Sequence, residues 1–226
     1  MTGLFHAVAA LSALCLVAGF TSNSPIITRK SSISMANTIA VFGGTGATGR
    51  EVVYQALNSG ANVVVLARDP ARMLIPTGSG GAKGDSLLTD ARLKVIKGDV
   101  TNQQDVDAVF ASGDISGVVV ALGGKTKDVG PTMLTDGTTC IINGMKKKSS
   151  SKRISVVTSI GAGDSEQQAP LMFKALMWTV MKGIFTDKNN QEKLFLSPEG
   201  PGHELELVIF PKFTNQHHMT FNTMPF

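Results

Sequence analysis

A three-layer α/β fold around a parallel sheet is what the sequence predicts, on three observations. Short β-branched runs alternate with longer stretches of helical periodicity, the arrangement that right-handed crossovers turn into a parallel sheet. The first run, Ile39-Ala40-Val41-Phe42, is continuously apolar, as a strand covered on both faces must be. Hydrophobic residues make up 42% of the 226, enough to fill one sizeable core. Strands are expected at 38–42, 62–67, 93–97, 117–121, 153–158 and 204–210. Helices are expected at 49–59, at 102–111 behind a Thr101 cap, at 132–148 and at 171–196.

The first strand runs straight into Gly43-Gly44-Thr45-Gly46-Ala47-Thr48-Gly49, which opens the first helix. A GxxGxxG spacing is weak evidence by itself; between a buried strand and a helix it marks a Rossmann dinucleotide turn. Gly43 permits the tight turn, Gly46 lets the backbone approach a pyrophosphate, and Gly49 lets the helix pack on the strand. Free N–H groups at the helix start then face the phosphates, with Ala47 in the same turn and the Thr45 and Thr48 hydroxyls as further donors. A second glycine-rich stretch, Gly78-Ser79-Gly80-Gly81-Ala82-Lys83-Gly84, lacks the GxxxxGK[ST] spacing and follows no buried strand, so it reads as a flexible surface loop.

At the end of the second strand stands Arg68, where an NAD-selective site would keep an acid for the ribose diol. A guanidinium there grips a 2′-phosphate, and Arg72 can close over the same phosphate or the adenine, so NADP is favoured over NAD. Asp69, next to the arginine, argues the other way. After the third strand, Gly98-Asp99-Val100 puts a carboxylate near the adenine amine and Val100 against the ring; the alternative is an Asp capping a turn.

With Leu122-Gly123-Gly124 and Val157-Thr158-Ser159 following in order, the chain from 38 to 210 resembles the atypical short-chain dehydrogenase/reductases. It is most similar to their NAD(P)H-binding group, which includes NADPH-dependent flavin and biliverdin reductases and NmrA-like proteins. The resemblance implies that the backbone at Leu122 and Gly123 lies along the cofactor, that a basic residue stands near Lys125, and that Thr158 and Ser159 end the fifth strand near the nicotinamide. It also implies that Lys188, in Asp187-Lys188-Asn189-Asn190-Gln191-Glu192, holds the nicotinamide ribose; a solvated charged helix face is the other reading.

Two departures from the family bear on function. Its classical members use a Tyr-x-x-x-Lys pair as proton donor, whereas the single tyrosine here, Tyr54, lies in the first helix, which excludes that chemistry. Relatives also continue past the last strand with an Arg-Pro-Gly turn and elements that wall the substrate pocket; here Phe210-Pro211-Lys212 leads into a divergent tail, 211–226, so a fold truncated on its substrate side is expected. His217 and His218 in that tail are adjacent and do not share a helical face, and no metal site is expected.

Residues 1–36 read as a leader preceding the 37–210 domain. An apolar stretch from Leu4 to Phe20, too short for a comfortable span, is followed by a Ser/Thr-rich stretch with Arg29 and Lys30, and no acid occurs before Glu51. This order resembles the bipartite leaders of algae with secondary plastids, giving a plastid stroma location; a membrane anchor, secretion, or a cytoplasmic form starting at Met35 are the alternatives. No membrane span is expected in the mature form. The formal charge of +4 falls to +2 without Arg29 and Lys30, and Lys146-Lys147-Lys148 with Lys152 and Arg153 reads as a solvated helix end, so no nucleic-acid partner is expected. Cys15 and Cys140 cannot form a disulfide framework within the mature domain.

The function expected is an NADPH-dependent oxidoreductase that passes hydride to a planar acceptor, a flavin, quinone or tetrapyrrole. Ser159 is the candidate catalytic residue, bonding an acceptor carbonyl or relaying a water proton, against the reading of a buried serine satisfied by backbone. A non-catalytic NADP(H) sensor or plastid assembly factor is the alternative from another class. Met172, Phe173, Met177, Trp178 and Met181 form an apolar stripe that reads first as core and second as a contact for a substrate or partner. The acceptor and the oligomeric state are not written in the sequence.

Overall fold

The computed structural model describes residues 37–123, 130–149, 151–158 and 182–210. Strand β1 (Thr38–Phe42) leads to helix α1 (Ala47–Asn58), β2 (Asn62–Ala67), β3 (Leu93–Lys97), α2 (Gln103–Phe110), β4 (Ile115–Val120), α3 (Met133–Lys148), β5 (Arg153–Val157), α4 (Lys182–Leu196) and β6 (Glu206–Phe210). All six strands are parallel, in the order β3-β2-β1-β4-β5-β6. The chain therefore builds outward from β1 on one side, then returns to start again at β4 on the other, and a crevice opens where the carboxyl ends of β1 and β4 part.

Strand alternation divides the core in two. Ala40, Phe42, Val64, Leu66, Val118 and Val120 face one side, where α2, α3 and α4 cover them with Phe110, Ile141, Ile142, Met145 and Phe195. Ile39, Val41, Val63, Val65 and Val119 face the other, covered by Val52, Val53, Ala56 and Leu57 of α1 at the i, i+1, i+4, i+5 spacing of one helix face. Helices on both faces explain why β1 and β2 read as unbroken apolar runs, and the expected three-layer Rossmann fold is the one found.

The first three strands begin and end where the sequence places them. Strand β4 starts two residues early because Ser116 is an extra residue opposite the Thr38/Ile39 step; its hydroxyl bonds the Thr38 carbonyl at 3.0 Å. Helix α2 is capped by Asn102, whose side chain accepts from the Gln104 N–H at 3.0 Å, and not by Thr101, which is spent on Asp99. Strand β6 begins at Glu206 and not at 204, since the chain leaves α4 through backbone-bonded turns up to Leu205.

The 78–84 stretch differs from its expectation. It is the tip of an excursion, 73–88, whose neck is closed by Leu88 N–H to the Met73 carbonyl (2.9 Å) and Ile75 N–H to the Ser86 carbonyl (2.8 Å), with Met73 and Leu88 buried. Two successive α1 residues fasten it. The buried Glu51 carboxylate accepts from the Ser79 N–H (3.1 Å) and hydroxyl (2.6 Å), and Arg50 pairs with Asp85 at 3.2 Å. The segment is on the surface, as expected, but tied at both ends and at its tip. Lys146, Lys147, Lys148, Lys152 and Arg153 are all exposed. No helix among the described residues is long and apolar enough to cross a membrane.

Candidate functional site

The crevice at the switch point is a cleft of about 840 Å³. Its floor is the glycine turn. Gly43 has φ +84°, and a Cβ there would strike the Ala121 carbonyl of the strand-end beside it; a Cβ on Gly49 would collide with the Gly43 carbonyl. These two glycines are required by the protein itself. Gly46 is different: a Cβ would meet only the Gly43 oxygen, at 3.4 Å, and its φ of −77° suits any residue, so the space it leaves open belongs to the cleft. Gly123, across the cleft, has nothing within 4 Å.

Helix α1 starts at Gly46 with no side-chain cap and no acid in its first turn, so its leading N–H groups and positive dipole end face the cleft. The next two helix starts are already filled, α2 by Asn102 and α3 by Asp187. Arg50 holds the turn from behind, its Nε donating to the Thr45 carbonyl at 3.1 Å. An anion fits this cradle. Gly46→Val is expected to cost about 1 kcal/mol of stability as a poorer cap and to lower dinucleotide affinity on the order of 100-fold. A titration on the folded variant checks this; unchanged affinity would put the ligand elsewhere.

At the β2 side, Arg68 and Arg72 both line the cleft. Asp69 does not: its carboxylate caps the short turn Pro70–Arg72 by accepting from the Ala71 N–H at 3.1 Å. The acid that argued for NAD is thus used structurally. Asp99 lines the cleft, with one carboxylate oxygen accepting from the Thr101 N–H (2.9 Å) and hydroxyl (2.7 Å). Those two bonds, the backbone one foremost, and more weakly the Arg68 charge hold its carboxyl below the usual carboxylate range against the opposing effect of burial. Asp105 fixes this turn from α2 by accepting the Asp99 N–H at 2.8 Å, and Gly98 is needed beside it because a Cβ would lie 2.7 Å from the Asp105 side chain.

The far side is built by α4. Asp187, 5% exposed, reaches α3 and accepts from the N–H groups of Leu134 (2.8 Å) and Thr135 (3.0 Å) and from the Thr135 hydroxyl (2.5 Å). One turn later Gln191 donates to the Thr138 hydroxyl at 2.8 Å. Lys188 and Glu192, the next i, i+4 pair, turn toward β5: Lys188 lines the cleft and Glu192 accepts from the Thr158 hydroxyl at 2.6 Å. The reading of 187–192 as a solvated face is therefore overturned, since Asp187, Gln191 and Glu192 are all buried. Burial pushes the Lys188 ammonium below its ordinary value, with Glu192 and Asp187 pulling the other way. Desolvation favours neutral Lys188, so fold stability should rise with pH between the lowered folded value and the unfolded one. If the cation contacts the ligand, affinity should fall on the alkaline side before an ordinary lysine, near 10.5, would titrate. A pH series of titrations with Lys188→Met, which should flatten that limb, checks this.

Gly43, Thr45, Gly46, Ala47, Thr48, Arg68, Arg72, Asp99, Val100, Leu122, Gly123, Thr158 and Lys188 are thus brought to one cleft. Gly49 lies beneath the turn, buried, where close packing needs it. Ser159, Lys125, His217, His218 and the stripe from Met172 to Met181 lie outside the described residues. Sequence reasoning missed Met133, which lines the cleft, and the positioning residues Arg50, Asp105, Asp187 and Glu192. The signal for the last two was the paired i, i+4 spacing Asp187/Gln191 and Lys188/Glu192 on adjacent faces of one helix.

Residues 43–200 match the sequence profile of a family described as NAD(P)H-binding. Among solved structures, the anaerobilin reductase of Escherichia coli O157:H7 aligns with a TM-score of 0.52 at 22% identity, over 76% of this chain and 71% of that one. A short-chain dehydrogenase/reductase from Veillonella parvula gives 0.54 at 16%, over 77% and 68%. The yeast methylglyoxal/isovaleraldehyde reductase complexed with NADPH gives 0.53 at 17%, over 76% of this chain and 56% of its own. At such identities these likenesses speak for the fold. The profile, spanning the glycine turn, both guanidinia and the α4 wall, makes this chain a member of the NAD(P)H-binding family.

Proposed function

We propose that the protein is an NADPH-dependent oxidoreductase whose acceptor is planar: a flavin, a quinone or a tetrapyrrole. The observation that carries this reading is the β2 end of the cleft, where two guanidinia stand and the neighbouring acid is turned away to cap Pro70–Arg72. Two guanidinia at that strand end suit a 2′-phosphate better than a bare ribose diol. Bound NADPH would supply two electrons and a hydrogen from the nicotinamide C4 to the acceptor, whose second proton comes from water. The glycine turn orients the pyrophosphate, Asp99 and Val100 meet the adenine, and Lys188 holds the ribose at the other end. Tyr54 packs into the apolar layer on the α1 side and no tyrosine is among the residues lining the cleft, so an acceptor that needs no phenolic proton donor fits. Support for a reductase also comes from the fold's company, which includes an anaerobilin reductase.

Incubation with NADPH and FMN, a benzoquinone or biliverdin, following the loss of reduced nicotinamide absorbance, tests the reading. Acceptor-dependent oxidation above the protein-free rate, faster with NADPH than with NADH, is expected. Tight binding with no oxidation by any of the three would favour a nucleotide sensor or assembly factor. We further propose a plastid location directed by residues 1–36; fused to a fluorescent reporter in an alga with secondary plastids, that segment should deliver it to the stroma, and delivery to the secretory route would overturn this.

A further inference from the structure

Thr158 and Arg68 stand at opposite ends of the cleft. Arg68 follows β2 and Thr158 follows β5, and between those strands lie three inter-strand steps, about 14 Å. With the anion cradle of Gly46 between them, a dinucleotide whose 2′-phosphate meets Arg68 brings its redox ring toward the β4 and β5 ends, where Leu122, Gly123, Val157 and Thr158 form the wall.

A threonine hydroxyl has one hydrogen and two lone pairs. In Thr158 that hydrogen is given to Glu192 at 2.6 Å, in a bond buried on both sides, Thr158 being 7% and Glu192 5% exposed. The hydroxyl donates and the carboxylate oxygen accepts, as the geometry places them. What the Thr158 hydroxyl has left for a ligand in the cleft that Thr158 lines is therefore a lone pair. Glu192 is itself held by its helix: Asp187 and Gln191 on the same α4 tie that helix to α3 through four hydrogen bonds, so the carboxylate does not swing away.

We propose that Glu192, by taking the Thr158 hydrogen, makes Thr158 an obligate acceptor at this end of the cleft, which then selects a ring substituent that donates: the primary amide of a nicotinamide. The proposal rests on the NADPH reading above. Thr158 is the specificity-determining contact and Glu192 the residue that positions it. A ring carrying only a carbonyl would set two acceptors against each other and leave the Thr158 lone pair desolvated without a partner.

The test compares NADPH with reduced 3-acetylpyridine adenine dinucleotide phosphate, in which a methyl ketone replaces the amide, by titration on the full chain. Wild-type protein should bind NADPH about 10-fold more tightly than the analogue. Thr158→Ser should keep that ratio, and Thr158→Val should bring it close to one. Glu192→Met, which removes the acceptor, should also bring it close to one, because the Thr158 hydrogen is then free to meet the carbonyl that both ligands carry. Thermal melts of each variant establish that it is folded. Equal affinity of the two ligands for wild-type protein overturns the proposal without any variant, and so does a ratio that survives in folded Thr158→Val. Failure to bind NADPH at all overturns the NADPH reading together with it, whereas equal binding of both ligands leaves that reading standing.

Discussion

Replacing Arg68 with alanine should weaken NADPH binding by about 30- to 100-fold, the 2 to 3 kcal/mol of a charge-assisted contact to phosphate. NADH binding should change by less than about two-fold, since surface charge contributes little to a ligand it does not touch. The asymmetry follows from the local structure. Arg68 is the residue next after β2 and lines the cleft, while Asp69 is engaged with the Ala71 N–H and does not. Arg72 stands a few residues further on at the same end, so Arg72→Ala should show the same pattern with a smaller loss. Because the contact is ionic and exposed, the NADPH advantage of wild-type protein should shrink as salt rises, and that of Arg68→Ala, which keeps only Arg72, should shrink less. Fluorescence titrations of both cofactors at two salt concentrations measure all of this. Equal loss of NADPH and NADH affinity would mean that Arg68 supports the cleft and does not read the phosphate.

Asp187→Ala should be the most destabilising of the substitutions at the described site, by about 3 kcal/mol, or roughly 10 °C in thermal midpoint. The carboxylate is buried and receives two backbone N–H groups and a hydroxyl at the start of α3. Without it the N-terminus of a 16-residue helix loses its cap, and buried donors lose their acceptor. Asp187→Asn keeps one carbonyl oxygen and should cost less. Asn190→Ala, on the exposed face of the same helix, should be near neutral. Melting curves give the comparison. A loss below about 1 kcal/mol for Asp187→Ala would mean that α4 docks on α3 through its apolar residues, Phe185 and Phe195 among them, and not through this cap.

Much of this site was legible before any coordinates. An apolar strand, a GxxGxxG turn and a helix written consecutively predict both the first crossover and the anion cradle, because all the interactions are local: a turn needing positive φ, a close contact needing no Cβ, a helix start needing an anion. Arg68, Arg72, Asp99 and Leu122 could be named in advance for a related reason. In a parallel sheet each strand's carboxyl end delivers its next residues to one edge, so strand order in the sequence predicts membership of the cleft.

Other features were decided only by the tertiary structure. Asp69 and Asp99 are the same residue type just after neighbouring strands, and each caps its own turn, yet only Asp99 also lines the cleft, which depends on where each short loop bends. Glu51 and Ser79 are 28 positions apart, and nothing local says that a charged helix residue will be buried to hold a glycine-rich tip. The Asp187-to-Glu192 run shows the difference most sharply. As sequence it carries charge at helical spacing, which describes a wet face equally well as a buried one. As structure it is buried because the first turn of α3 sets N–H donors against it that Asp187 accepts, and because the β5 strand stops with a hydroxyl beside it. Composition and spacing determined the fold, the anion turn and the edge where a dinucleotide would lie; which polar groups are spent inside the protein and which remain for a ligand depended on packing between elements far apart in the chain, because a hydrogen-bond partner is chosen by three-dimensional proximity and by what water has been excluded.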